Sequence, residues 1–129
     1  NVLCKTIQRG KELDLMTIIC SDSIAEARAI AQFAPDIIVA EPTELIGTGK
    51  TSSMDYVKAS IEAVKSVNPD ILVLQGAGIS NGNDVYNVIY AGAEATGSSS
   101  GIVKAPSPAA MIDEMLGAVR RAYDARNAK

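Results

Sequence analysis

The sequence predicts an α/β fold, a parallel sheet covered by helices, and three observations carry the prediction. Short apolar runs, Met16-Thr17-Ile18-Ile19-Cys20, Asp36-Ile37-Ile38-Val39-Ala40 and Ile71-Leu72-Val73-Leu74, alternate with segments of helical period. The runs are continuously apolar, as in strands buried on both faces, rather than apolar on every second residue. The alternation is strict and reads α-β-α-β-α-β-α-β-α over 129 residues, the pattern of stacked βαβ units. Two architectures satisfy it: an open doubly wound sheet, or part of a (β/α)₈ barrel. A whole barrel needs roughly 250 residues. Four strands are half of one, and the chain opens in a helix, so residues 1–129 read as a single partial domain cut from something longer.

Each element has its own local reason. In residues 2–14, Val2, Leu3, Ile7 and Leu13 can share one helical face, which Gly10 weakens. The run 16–20 is β-branched and ends at Ser21-Asp22; Cys20 reads as a core residue there, while Cys4 falls on the first helix. Ser23-x-x-Glu26 has the form of a capping box and opens a helix to about 33, with Ile24, Ala27 and Ile30 inward. The strand 36–40 follows, then a loop over 41–51. The next helix runs from about 52 to 67, with Met54, Val57, Ile61 and Val64 at spacings of three and four. Asn68-Pro69 stops it. After strand 71–74 come the turn Gln75-Gly76-Ala77-Gly78-Ile79-Ser80, a helix over 83–90 ending at Gly92, and a weak strand over 93–99. Ser107-Pro108 supplies an N-cap and a proline at the first helical position; the last helix, 108–126, buries Met111, Met115 and Val119.

Composition narrows the function. The chain is 47% hydrophobic and 21% charged, with a net charge of -3. It has no basic run, which argues against a nucleic-acid surface. No apolar stretch approaches the roughly 20 residues of a membrane span. No signal peptide opens the sequence, and 2 cysteines are too few for a disulfide framework, so a cytoplasmic location is expected. The count of histidines is 0. A histidine acid/base pair or a histidine-ligated metal site cannot come from these residues alone, and neither a metal nor a cofactor is expected.

The most informative segment is Glu41-Pro42-Thr43-Glu44-Leu45-Ile46-Gly47-Thr48-Gly49, directly after the strand 36–40. In a parallel barrel the catalytic groups stand at the C-terminal ends of strands, on the loops that follow. A carboxylate there, beside a loop able to close and exclude water, suits a carbon-acid base; taken alone, Glu41 also reads as a plain solvated carboxylate. Gly47-Thr48-Gly49-Lys50-Thr51 imitates a P-loop, but G-x-x-x-x-G-K-S/T would need glycine where Glu44 stands. Gly76-Ala77-Gly78, between strand and helix, can turn its N–H groups toward an anion or simply make a tight turn; Asn81 denies it a dinucleotide fingerprint. Ser98-Ser99-Ser100-Gly101 ends the last strand and either admits a ligand close to the backbone or makes an ordinary turn. The two segments gain meaning together, because barrels commonly bind phosphate with the loops after their last two strands. Lys50 and Lys104 read as surface cations, and Asp113, Glu114, Arg120 and Arg121 as the solvated face of the last helix.

These motifs, in this order, resemble the C-terminal half of the triosephosphate isomerase family, and the shorter archaeal-type members above all. The specific part is Glu41-Pro42 followed by Ile46-Gly47-Thr48-Gly49-Lys50, supported by Gly76-Ala77-Gly78-Ile79 and by Ser100-Gly101 with the later Val103-Lys104. The resemblance implies the second half of a (β/α)₈ TIM barrel, from the fourth barrel helix to the eighth. It implies Glu41 as the base that shuttles a proton between C1 and C2 of dihydroxyacetone phosphate and glyceraldehyde 3-phosphate. It further implies that Gly47, Gly78, Ser99 and Ser100 grip the phosphate through backbone N–H groups. Pro42, Thr43, Glu44, Lys50 and Thr51 would be the hinges of a closing lid. Glu44 stands where long-chain members carry tryptophan, and Gly78 where they carry serine, which leaves backbone donors at the second position. The family's electrophilic histidine and its asparagine–lysine pair come from the first four strands, so these 129 residues alone are expected to be inactive.

Two other readings stand beside this one. Another phosphate-binding (β/α)₈ enzyme, a sugar-phosphate epimerase or a tryptophan-pathway enzyme, would share the two phosphate loops but not Glu-Pro with Ile-Gly-Thr-Gly. A non-catalytic half-barrel would expose two unpaired sheet edges and self-associate. The expected partners are a small triose phosphate and further copies of the chain in a homo-oligomer, with no nucleic acid and no membrane.

Overall fold

The structure is a computed structural model that describes residues 2–42 and 52–128. Its sheet has four strands: β1 (Ile18–Ser21), β2 (Ile37–Ala40), β3 (Leu72–Gln75) and β4 (Ala95–Thr96). They lie in sequence order and every neighbouring pair is parallel. Among the described residues six helices accompany them: α1 (Val2–Glu12), α2 (Ile24–Ala31), α3 (Met54–Lys65), α4 (Gly82–Tyr90), α5 (Ser100–Val103) and α6 (Pro108–Asn127). This is the α/β architecture of a partial barrel.

The helices begin where local chemistry starts them. Ser23 accepts from the Glu26 N–H and Ser53 from the Tyr56 N–H, each at 3.2 Å. Asn81 accepts from the Asp84 N–H at 3.0 Å, and Ser107 caps α6 ahead of Pro108. Each side chain satisfies one N–H that the helix itself leaves unpaired. The predicted capping box is modified: the Glu26 carboxylate reaches back to the N–H of Asp22, not of Ser23, at 3.1 Å.

Packing occupies one face of the sheet. Ala27 and Ile30 of α2 and Val64 of α3 close over Ile38 and Ala40 of β2 and Val73 of β3, with Ile71 at the entry to β3. A second cluster joins Val57 of α3 with Val85, Val88 and Ile89 of α4 and with Met115, Ala118 and Ala122 of α6. Because strand side chains alternate, Ile37, Val39, Leu72 and Leu74 turn to the opposite face. That face is largely open, with Ile18 at 54% and Leu72 at 43% exposure.

Several expectations change here. Cys20 is exposed rather than in the core, because it points with Ile18 to the open face of an edge strand. On α1, which ends at Glu12, only Ile7 is buried; Val2 and, just past the helix, Leu13 are exposed. Gly10 serves close packing: a Cβ there would lie 2.9 Å from Thr17 Cγ2. The weak strand shortens to Ala95–Thr96. Beyond it the chain forms the unpredicted α5, which starts at Ser100 and takes up half of the expected serine turn.

The N-terminal ends of the strands are tied by polar groups. Thr17 N–H and Oγ1 both donate to Asp36 Oδ2, at 2.6 and 2.7 Å, and the Asp36 N–H donates back to Thr17 Oγ1 at 3.1 Å. These donors hold the Asp36 carboxyl below its ordinary value of 3.8. Further along the sheet, the Lys65 ammonium donates to the Ile71 carbonyl at 2.7 Å and pairs with Glu94 at 2.8 Å. Glu94 in turn accepts from the Val73 N–H at 3.0 Å.

Candidate active site at the C-terminal ends of the strands

The opposite ends of the strands are built from small and apolar residues. Glu41 is the first residue after β2, and its N–H donates to the Ser21 carbonyl at 3.0 Å, extending the β1–β2 pairing by one step. Alternation along the strand puts its side chain on the same face as Ile37 and Val39. There the carboxylate lies against Gly76, where a Cβ would come within 2.9 Å of Glu41 Oε2. Pro42 follows and is buried.

A cavity of about 310 Å³ opens beside this carboxylate. Val39 and Leu74 supply apolar surface, and the loop after β3 contributes Gly76, Ala77, Gly78 and Ile79. The segment after β4 contributes Gly97, Ser98, Ser99 and Ser100. Its volume is at the small end of the roughly 300–1,000 Å³ typical of ligand sites, which suits a small molecule. Glu41 is the only ionisable residue among the described residues that line it, so recognition of an anion there would rest on neutral donors, backbone N–H groups and serine hydroxyls.

Gly78 has φ 73°, a left-handed conformation that side chains resist, and this is why a glycine stands at that position. The rest of its loop is anchored from behind. Asp84 accepts from the Ser80 N–H at 3.0 Å and from the Ser80 hydroxyl at 2.8 Å. Glu114 reaches across from α6 to accept from the Gly82 N–H at 2.7 Å. Glu114 is exposed, as expected of the solvated face of the last helix; its partner lies 32 residues away, and no local pattern could have signalled that bond. Ser99 precedes α5 as its N-cap but makes no side-chain cap bond. The first N–H groups of a helical turn have no partner within it, and Ser99 and Ser100 at the start of this turn line the cavity.

Of the residues singled out from sequence, Glu41, Gly78, Ser99 and Ser100 line this one cavity. Pro42 adjoins it without lining it. Lys104 is an exposed residue at the C-terminal end of α5 and does not line it. Thr43, Glu44, Gly47, Lys50 and Thr51 lie outside the described residues, as does the glycine-rich stretch that imitates a P-loop. Val39, Leu74 and Gly97 are lining residues that the sequence did not single out. The strand alternation that puts Val39 on the face of Glu41 was a usable signal for it.

Comparison with known proteins identifies the family. The chain is 42% identical to the triosephosphate isomerase of Methanocaldococcus jannaschii, over 85% of this chain and 52% of that protein. It is 44% identical to the triosephosphate isomerase of Methanobrevibacter smithii, over 81% and 48%. The chain thus spans about half the length of the curated relatives it matches. Among solved structures, the BexX/CysO complex of Amycolatopsis orientalis superimposes with a TM-score of 0.69 at 19% identity, covering 98% of this chain and 51% of that one, a likeness of fold alone. The family model for triosephosphate isomerase matches residues 2–115, and the chain belongs to that family.

Proposed function

We propose that the protein carrying this chain is a triosephosphate isomerase acting in glycolysis and gluconeogenesis, with Glu41 as its base. One observation carries the reading: a strand-end carboxylate and the loops after the next two strands line one small cavity. Glu41 takes a proton from C1 of dihydroxyacetone phosphate, leaving an enediolate, and returns it to C2 to give glyceraldehyde 3-phosphate. The backbone N–H groups of Gly78, Ser99 and Ser100, with Gly47, hold the phosphate. Pro42, Thr43, Glu44, Lys50 and Thr51 act as hinges of a lid that excludes water and keeps the enediolate from losing phosphate. No cofactor takes part.

The developing oxyanion needs an electrophile, and these residues include 0 histidines. Removing such stabilisation typically costs about 10²–10³ in rate. The 129 residues expressed by themselves are therefore expected to be inactive, and the electrophile to lie elsewhere in the protein. The protein is read as cytoplasmic and homo-oligomeric; two exposed apolar groups, Val2 on α1 and Leu13 just after it, support association. No described helix is long and apolar enough to cross a membrane.

The test is Glu41→Gln in the full-length protein, assayed in both directions. Loss of a general base removes about 10²–10⁴ in kcat, with an unchanged thermal transition. Activity within threefold of the parent would remove Glu41 from the chemistry.

A further inference from the structure

We propose that Ser98 is a positioning residue that sets the spacing between the two phosphate loops; the assignment rests on the function proposed above. The β3–β4 pairing ends early, at Gln75↔Thr96. Beyond it, side-chain hydroxyls take over. Thr96 Oγ1 donates to the Gln75 carbonyl at 2.7 Å, and Ser98 Oγ donates to the Ile79 carbonyl at 2.6 Å. Between these two bonds the loop after β3 swings out through Gly76, Ala77 and Gly78 and returns at Ile79, so the Ser98 bond closes it.

The same carbonyl meets the other loop a second time. A Cβ on Gly101 would lie 2.7 Å from the Ile79 oxygen, 2.7 Å from Ser80 Cα and 2.6 Å from Ser98 Oγ. The first turn of α5 is therefore seated directly on the bridge, and nothing larger than a hydrogen fits between them. Ser99 and Ser100 are held between Ser98 and Gly101, the two residues that touch the Ile79 carbonyl. On the other loop Gly78 is the residue immediately before Ile79. One carbonyl thus fixes the donors of both loops relative to each other. Preorganised donors of this kind bind an anion without reorganising. A serine that merely satisfied a buried carbonyl would stabilise the fold without changing affinity for phosphate.

The experiment is an NMR titration of the full-length protein with inorganic phosphate, following the amides of Gly78, Ser99 and Ser100, alongside thermal denaturation. In the parent, phosphate shifts these amides. In Ser98→Ala the dissociation constant rises about three- to tenfold, the factor that corresponds to one net hydrogen bond, and Ser98→Thr, which keeps the hydroxyl, restores it. An affinity within twofold of the parent in Ser98→Ala overturns the assignment and leaves the isomerase reading standing. Equal weakening in Ser98→Ala and Ser98→Thr also overturns it, since the hydroxyl would not be the agent. Failure of the parent to bind phosphate at these amides overturns the isomerase reading and this assignment with it. Should Ser98→Ala not fold, Ser98→Thr decides: affinity within twofold of the parent supports the role, and a larger loss refutes it.

Discussion

Gly76→Ala separates position from stability at the candidate base. A Cβ at this residue would stand 2.9 Å from Glu41 Oε2, 3.6 Å from Leu74 Cδ2 and 3.7 Å from Glu41 Cδ. Only the first contact is closer than the 3.4 Å at which ordinary van der Waals contact begins, so the carboxylate must retreat by 3.4 − 2.9, or 0.5 Å. The atom that yields is the end of a flexible side chain, and the backbone at Gly76 is not left-handed. Folding should therefore lose nothing, and can gain about 0.4–1 kcal/mol because alanine restricts the unfolded chain. Activity should behave differently. A displacement of about 1 Å from productive geometry costs on the order of 10²-fold, so half of it predicts about a tenfold loss in kcat/KM. The assay pairs steady-state isomerisation by the full-length variant with its urea midpoint. A variant with full activity would refute the idea that Gly76 sets the position of Glu41. A loss of stability matching the loss of activity would refute the separation of the two.

Three further outcomes follow from the packing and charge described above. Ser60→Ala strands the buried Gln75 amide, which donates to Ser60 Oγ at 2.8 Å; the cost should be about 1–3 kcal/mol by urea denaturation, and less than 0.5 would mean that the amide finds another partner. Ile38→Ala, at a residue with no exposure under the helices, should cost about 2–5 kcal/mol, whereas Ile18→Ala in the same 129-residue polypeptide, at 54% exposure, should cost far less; equal costs would contradict the open face. Asp36 titrates below its ordinary 3.8 in the folded state, so its contribution to stability is present above about pH 4 and is lost as pH falls through the lowered value. Asp36→Asn should flatten that acid limb modestly, because the group is exposed, and an unchanged limb would place the acid sensitivity elsewhere.

The sequence disclosed the fold where local signals and burial agree. Apolar runs such as Ile71-Leu72-Val73-Leu74 read as strands once they alternate with helices, and Ser23 and Ser107 announce helix starts through bonds made within three residues. It failed where a residue's surroundings come from distant chain. Cys20 resembles a core strand residue in every local respect, yet its side chain faces the open side of an edge strand. Glu114 is one carboxylate among several on α6 until α4 brings the Gly82 N–H to it. Helix α5 is too short to show a period, and its existence depends on Gly101 fitting against Ile79 and Ser80. The site was legible in part for the same reason. Glu41, Gly78, Ser99 and Ser100 stand immediately after strands, so chain order alone brings them to one end of the sheet. The hydroxyl of Ser98 has meaning only once two loops have met.

The polar ties at the N-terminal ends of the strands, Thr17 with Asp36 and Lys65 with Glu94, have a consequence for how this protein can change. They fix the register of the sheet from the end away from the cavity, by groups that do not line it. Insertions and substitutions in the loops after β2, β3 and β4 can then be sampled without the strands slipping, because the fastening is not shared with the chemistry. A designer seeking a new substrate would vary these loops around Gly78 and Gly101, which admit no side chain, and leave four polar side chains at the far end untouched.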